Sequence, residues 1–203
     1  ARFAKIRHEI DWTMRPKSLN TLIRAHPTQF KLLASALIVI AIAVLLPGKS
    51  TGEVPFAEEI GSLVYRYDRR TVNIASSGLI DISGYGRLSQ LGLVSVLDLR
   101  VPEEGTEDER FEVEARGMRY FNVPMGYAVP SEAETAAFAH IVEEENNLPL
   151  LFHGELANRA GAMWAFYRVY RGMAPRQAYE EGRTAGLKGR RAAAVREALG
   201  LED

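Results

Sequence analysis

The longest uninterrupted apolar stretch of the chain is LLASALIVIAIAVLL, residues 32–46, which carries no charged side chain. Phe30 extends it towards the N-terminus and Pro47-Gly48-Lys49 closes it. A helix needs about 20 apolar residues, with about 17 near the lower limit, to cross a bilayer. The stretch is long enough if Thr28 and Gln29 stand at headgroup level, so one transmembrane helix is expected over residues 30–47. A buried core helix or a signal-peptide core has a similar composition. The signal peptide is disfavoured because the preceding region is too long for an n-region and no A-x-A-like site follows.

On either side the pattern changes. Phe3, Ile6, Ile10 and Met14 recur at helical spacing, and Pro16 stops that helix. Residues 18–25 form a second short helical pattern with Ser18 as its cap. Beyond the apolar stretch, runs of strand and helix alternate. TVNIAS (71–76), VSVLDL (94–99), MRYFNV (118–123) and LPLLFH (148–153) have strand character. Helices are predicted near 80–91, 106–116, 131–145, 159–172, 175–186 and 189–199, with Gly92, Gly117 and Gly172 as stops. LPLLFH is short and wholly apolar until its histidine, as a buried parallel strand is. The fold expected is α/β: a mostly parallel four- to five-stranded sheet flanked by helices, preceded by one transmembrane helix. The corresponding division is a basic amphipathic segment (1–29), the span (30–47), a linker (48–67) and a folded domain (68–203).

Charge sets the orientation. The net charge of −1 gives no reason to expect nucleic-acid binding. Arg2, Lys5, Arg7, Arg15, Lys17, Arg24 and Lys31 all precede the span, against Glu9 and Asp11 only. The positive-inside rule places the N-terminus in the cytoplasm and the domain across the membrane. In a bacterium that is a single-pass inner-membrane protein with a periplasmic domain. Membrane lipid is then one partner, with Trp12 suited to the interface, and integral membrane proteins contacting residues 1–46 are another.

Composition also narrows the chemistry. The chain has no cysteine, which excludes disulfides, thiolate metal sites and cysteine nucleophiles. His8, His26 and His140 show no metal-ligand spacing, so no metal is expected. SSGLIDISGYG (76–86) lacks the dinucleotide fingerprint, and no cofactor is expected. The acidic run EEGTEDER (103–110) has the character of a solvated loop and helix start, or of a surface for a basic partner.

The informative stretch is LLFHGELANRAG, residues 150–161. A loop leaving the carboxyl end of a buried strand and entering a helix presents backbone N–H groups where open α/β sheets bind ligands. Arg159 at the helix start can add a bidentate fork. Together they suit a phosphate, a sulfate or a carboxylate.

His153, Arg159 and the following AGAMWAFYR resemble the signature loop of the protein tyrosine and dual-specificity phosphatase superfamily, especially small bacterial tyrosine-phosphatase-like proteins. The likeness spans about 68–187 and includes VSVLDLR and GMRYFNVPM. It implies the phosphatase fold and an anion cradle at His153, Gly154, Glu155, Leu156, Ala157, Asn158 and Arg159. The departures are equally specific. Gly154 stands where the family has its cysteine, and Glu155-Leu156-Ala157 replace small glycine-containing residues. Four residues separate Gly154 from Arg159, one fewer than in the phosphatase loop. The shorter spacing resembles the rhodanese sulfurtransferases, which also need the cysteine. The segment PMGYAVPSE (124–132) stands in the place of the family's acid loop and contains no Asp, and Glu132 belongs to the next helix start.

Three readings follow. The first is an inactive phosphatase-like domain, with no catalytic residue, serving as an interaction module or accessory subunit of a membrane complex. The second is a sensor that holds a small oxyanion at 153–159, with Glu155 opposing that anion by charge. The third is a weakly active phosphatase or sulfurtransferase working through Glu155 or His153. His153 is expected to organise the loop by hydrogen bonds rather than to act as a base.

Overall fold

The computed structural model describes residues 52–126 and 129–201. The basic segment 1–29 and the predicted span 30–47 lie outside these residues, and among the described residues no helix is long and apolar enough to cross a membrane.

The chain runs α1 (Ala57–Ile60), β1 (Asp68–Arg69), β2 (Ile74–Ser77), α2 (Gly84–Gln90), β3 (Ser95–Asp98), α3 (Thr106–Glu114), β4 (Arg119–Asn122), α4 (Glu132–Glu143), β5 (Leu150–His153), α5 (Asn158–Tyr170), α6 (Pro175–Thr184) and α7 (Gly189–Ala198). Short 3₁₀ turns stand at Gly61–Leu63, Pro102–Glu104 and Glu145–Asn147. The sheet order is β1-β2-β5-β3-β4. Only β1 is antiparallel, pairing with β2; the other three pairings are parallel.

β2, β3 and β5 are buried at every position, which is why their sequences are continuous runs rather than alternations. Their alternate side chains feed two cores. Leu97, Leu150 and Phe152 pack with Phe138, Met163, Trp164 and Leu187 on one face. Ala75, Val96 and Leu151 pack with Tyr85, Leu88 and Val113 on the other. Phe138 meets Phe152 edge-on at 5.0 Å, and Phe152 stacks on Trp164 at 5.8 Å. Of the aromatics that follow the signature loop, Trp164 and Tyr167 are core, whereas Tyr170 is 53% exposed.

Residues 54–64 do not behave as a plain linker. Val54, Ile60 and Val64 are buried in the second core, so the packed body takes in residues ahead of position 68. α5 and α6 touch backbone to backbone: a Cβ added to Gly161 would lie 2.5 Å from the Gly182 carbonyl oxygen. α4 opens with the Ser131 cap, whose hydroxyl accepts from the Glu134 amide while Glu134 reaches back to the Ser131 amide.

Candidate functional site

The parallel register aligns Ser77, His153, Asp98 and Asn122 in one row at the carboxyl ends of β2, β5, β3 and β4. β5 is inserted between β2 and β3, so the loop after β5 emerges between two neighbouring strands. That is the position where parallel sheets collect ligand-binding loops.

The loop is built close to its surroundings. The Gly154 amide donates to the Ser77 carbonyl at 3.3 Å, and the Glu155 carbonyl accepts from the Leu79 amide at 3.1 Å. Ala157 is fully buried with φ 62°, a left-handed conformation that is costly for a residue with a Cβ. Two glycines let other loops approach it. A Cβ on Gly78 would meet the Glu155 oxygen at 3.0 Å, and one on Gly186, at φ 114°, would meet the Ala157 Cβ at 2.9 Å. The amides of Glu155, Leu156 and Ala157 donate no hydrogen bond to another described residue. They stand ahead of the first turn of the 13-residue helix α5, where backbone donors and the helix dipole favour an anion.

Arg159 is buried and already engaged. Its Nη1 and Nη2 donate to the two carboxylate oxygens of Glu104 at 2.6 and 2.8 Å, and Nη1 also donates to the Leu99 carbonyl at 3.3 Å. Hydrogen bonding to Arg159 holds the Glu104 carboxyl below its ordinary value. The Nε edge of the guanidinium makes no bond to a described residue. The sequence reading placed Glu155 as the acid facing this cradle. The carboxylate that reaches Arg159 is instead Glu104, because the 3₁₀ turn after β3 carries it there; Glu155 and Leu156 are exposed.

Gly154 leaves little room for a side chain. A Cβ there would begin 3.1 Å from Arg159 Cβ, tighter than ordinary contact, so Arg159 would have to give. The atom next to His153 where a nucleophile would be carried is absent, and the backbone has settled over the place.

Beneath the loop lies a buried polar cluster. His153 is fully buried, and its Nε2 is 2.8 Å from Glu109 and 3.7 Å from Asp98. Arg100 forks onto both Asp98 oxygens at 2.9–3.1 Å and also pairs with Glu109. Tyr120 donates to Asp98 at 3.0 Å. Burial opposes the charge on His153, but Glu109 and Asp98 outweigh it and raise its pKa. Burial likewise opposes the Asp98 charge, yet His153 and Arg100 hold that carboxyl below its ordinary value. Two carboxylates facing a guanidinium and an imidazolium form a neutral set, the condition under which buried charge is tolerated. With no exposed surface, His153 is a structural member of this set.

Asp98, Glu109 and His153 bring one ligand atom each within 4.8 Å of one another, the donor set of a divalent metal. Arg100 already fills the cationic role there. The sequence reading took EEGTEDER as a solvated run or a partner surface. Two of its acids instead serve internally: Glu109 is buried beneath His153, and Glu104 pairs with Arg159. Glu109 shares a buried helical stripe with Thr106 and Val113, a spacing that was visible in the sequence.

No protein-family model matches the chain, and no curated protein is similar to it in sequence. Solved structures are similar in fold. A presumed phosphatase of the DUF442 group from Shewanella putrefaciens CN-32 superposes with a TM-score of 0.58 at 20% identity, over 71% of this chain and 97% of that one. The core catalytic domain of the PP-IP phosphatase SIW14 from S. cerevisiae gives 0.57 at 21% identity, over 69% and 87%. A presumed phosphatase from Neisseria meningitidis z2491 gives 0.54 at 17%, over 68% and 96%. At such identities the shared property is the fold.

Proposed function

With the α/β fold of the protein tyrosine and dual-specificity phosphatases in place, we propose that this chain is a membrane-anchored, catalytically inactive member of that architecture. It acts as a structural or interaction module, an accessory subunit of a larger inner-membrane assembly. One observation carries inactivity: the position after buried His153 is Gly154, and no cysteine exists anywhere in the chain to replace it. Phosphoryl transfer through a covalent intermediate needs that nucleophile. The absence of Asp from residues 124–132 removes the usual leaving-group acid as well. Anchoring is supported by the uncharged run at 32–46 and the basic residues ahead of it.

The test is recovery of the tagged chain from its own membranes in mild detergent. Stoichiometric co-purification of integral membrane subunits is expected, lost when residues 1–46 are replaced by an unrelated membrane anchor. Recovery of the chain alone, as a monomer, contradicts the proposal.

A second reading is favoured by a specific observation: the loop amides at 155–157 and the Arg159 Nε edge are left without protein partners. They support a small-oxyanion site without chemistry. Titration with inorganic phosphate, beside Arg159→Ala, separates the two. Heat in the native chain that the variant loses supports the anion site, and none in either rejects it.

A further inference from the structure

Beside the signature loop, α6 ends at Thr184 and the chain turns back into α7 at Gly189. The Lys188 amide donates to Asn158 Oδ1 at 3.0 Å, which fastens this turn to the first residue of α5. Between them opens a cavity of about 660 Å³ lined by Asn158, Lys188, Gly189, Arg190 and Arg191. That volume lies within the range of small-ligand sites, roughly 300–1,000 Å³.

The lining holds three cationic side chains and no carboxylate. Lys188 and Arg190 are exposed, so they can reorient at small cost. Arg191 is half-buried and donates to the Gly126 carbonyl at 3.2 Å, which ties in the segment that stands at the family's acid-loop position. Burial and the neighbouring Arg159 charge lower the Arg191 pKa. Like charges are therefore crowded here, and an anion would relieve them. The loop itself is nearly neutral, because Glu104 balances Arg159. A single phosphate there gains little long-range attraction, whereas one extended into the cavity meets the unbalanced cations.

We propose that this cavity binds a soluble small molecule bearing two or more phosphoryl groups, with Lys188, Arg190 and Arg191 holding the groups beyond the one at the loop. The proposal rests on the anion-site reading of the loop. The test is calorimetry on the full chain in detergent at fixed ionic strength, with inorganic phosphate and tripolyphosphate as probes. Tripolyphosphate is expected to bind at least about tenfold more tightly, as two charge-assisted contacts allow. A Lys188→Ala/Arg190→Ala double variant should lose that advantage and keep its phosphate affinity. The exposed pair Arg176→Ala/Arg183→Ala should keep both. Equal affinities, an advantage that survives the first double variant, or one lost equally in the second overturns the proposal. Tripolyphosphate binding that needs Lys188 and Arg190 but survives Arg159→Ala upholds the cavity and removes the loop reading.

Discussion

Glu104 and Arg159 stand 55 positions apart in the chain and meet end to end, both guanidinium Nη atoms donating to both carboxylate oxygens. The pair balances the one buried cation of the signature loop from inside the molecule. Removing the charge but keeping the shape, as Glu104→Gln does, should raise affinity for inorganic phosphate by about tenfold, the effect of an uncompensated neighbouring cation. Phosphate titration of the two proteins checks this. An unchanged or weaker affinity means that Glu104 chiefly orients the guanidinium.

His153 sets a second expectation. Its pKa is raised in the folded chain against burial, by Glu109 and Asp98. A group whose folded pKa is raised contributes stability that is complete below its unfolded value, about 6.5, and is lost as pH climbs through the folded value. Denaturant unfolding should therefore show stability falling above about pH 6.5. Asp98 is shifted the other way, so its contribution is present above its ordinary value of 3.8 and is lost as the pH falls through the depressed one. His153→Gln should cost about 2–4 kcal/mol at neutral pH, since it leaves Glu109 buried without its partner, and should flatten the alkaline slope.

The contact of α5 with α6 gives a purely steric prediction. A Cβ on Gly182 would sit 2.6 Å from the Gly161 carbonyl oxygen and 2.9 Å from Ala165 Cβ. Gly182→Ala should destabilise the domain by about 1–3 kcal/mol, as overpacking does, despite its better helix propensity. A thermal melt that rises instead would mean the helices are free to separate.

What the sequence disclosed, and what it withheld, follows from the range of the interactions. β2, β3, β4 and β5 are legible because burial makes their positions apolar or small over a whole run, and Gly92, Gly117 and Gly172 mark helix ends through their positive φ. The His153–Arg159 loop is legible because one strand end and one helix start carry it. β1 escapes because two residues make no pattern, and Val54, Ile60 and Val64 escape because isolated apolar positions do not reveal what covers them. Glu104 and Glu109 are misjudged because an acidic run is usually solvated. Only the fold brings one to Arg159 and turns the other inward beneath His153.

The most direct measurement is hydrolysis of p-nitrophenyl phosphate and of a phosphotyrosine peptide by the purified full chain, run beside Arg159→Ala and a buffer blank. A domain with Gly154 beside its buried histidine should release phosphate no faster than the blank. Release well above the blank that disappears in Arg159→Ala would mean that another group attacks phosphorus at this loop, and the account of an inactive frame would be wrong.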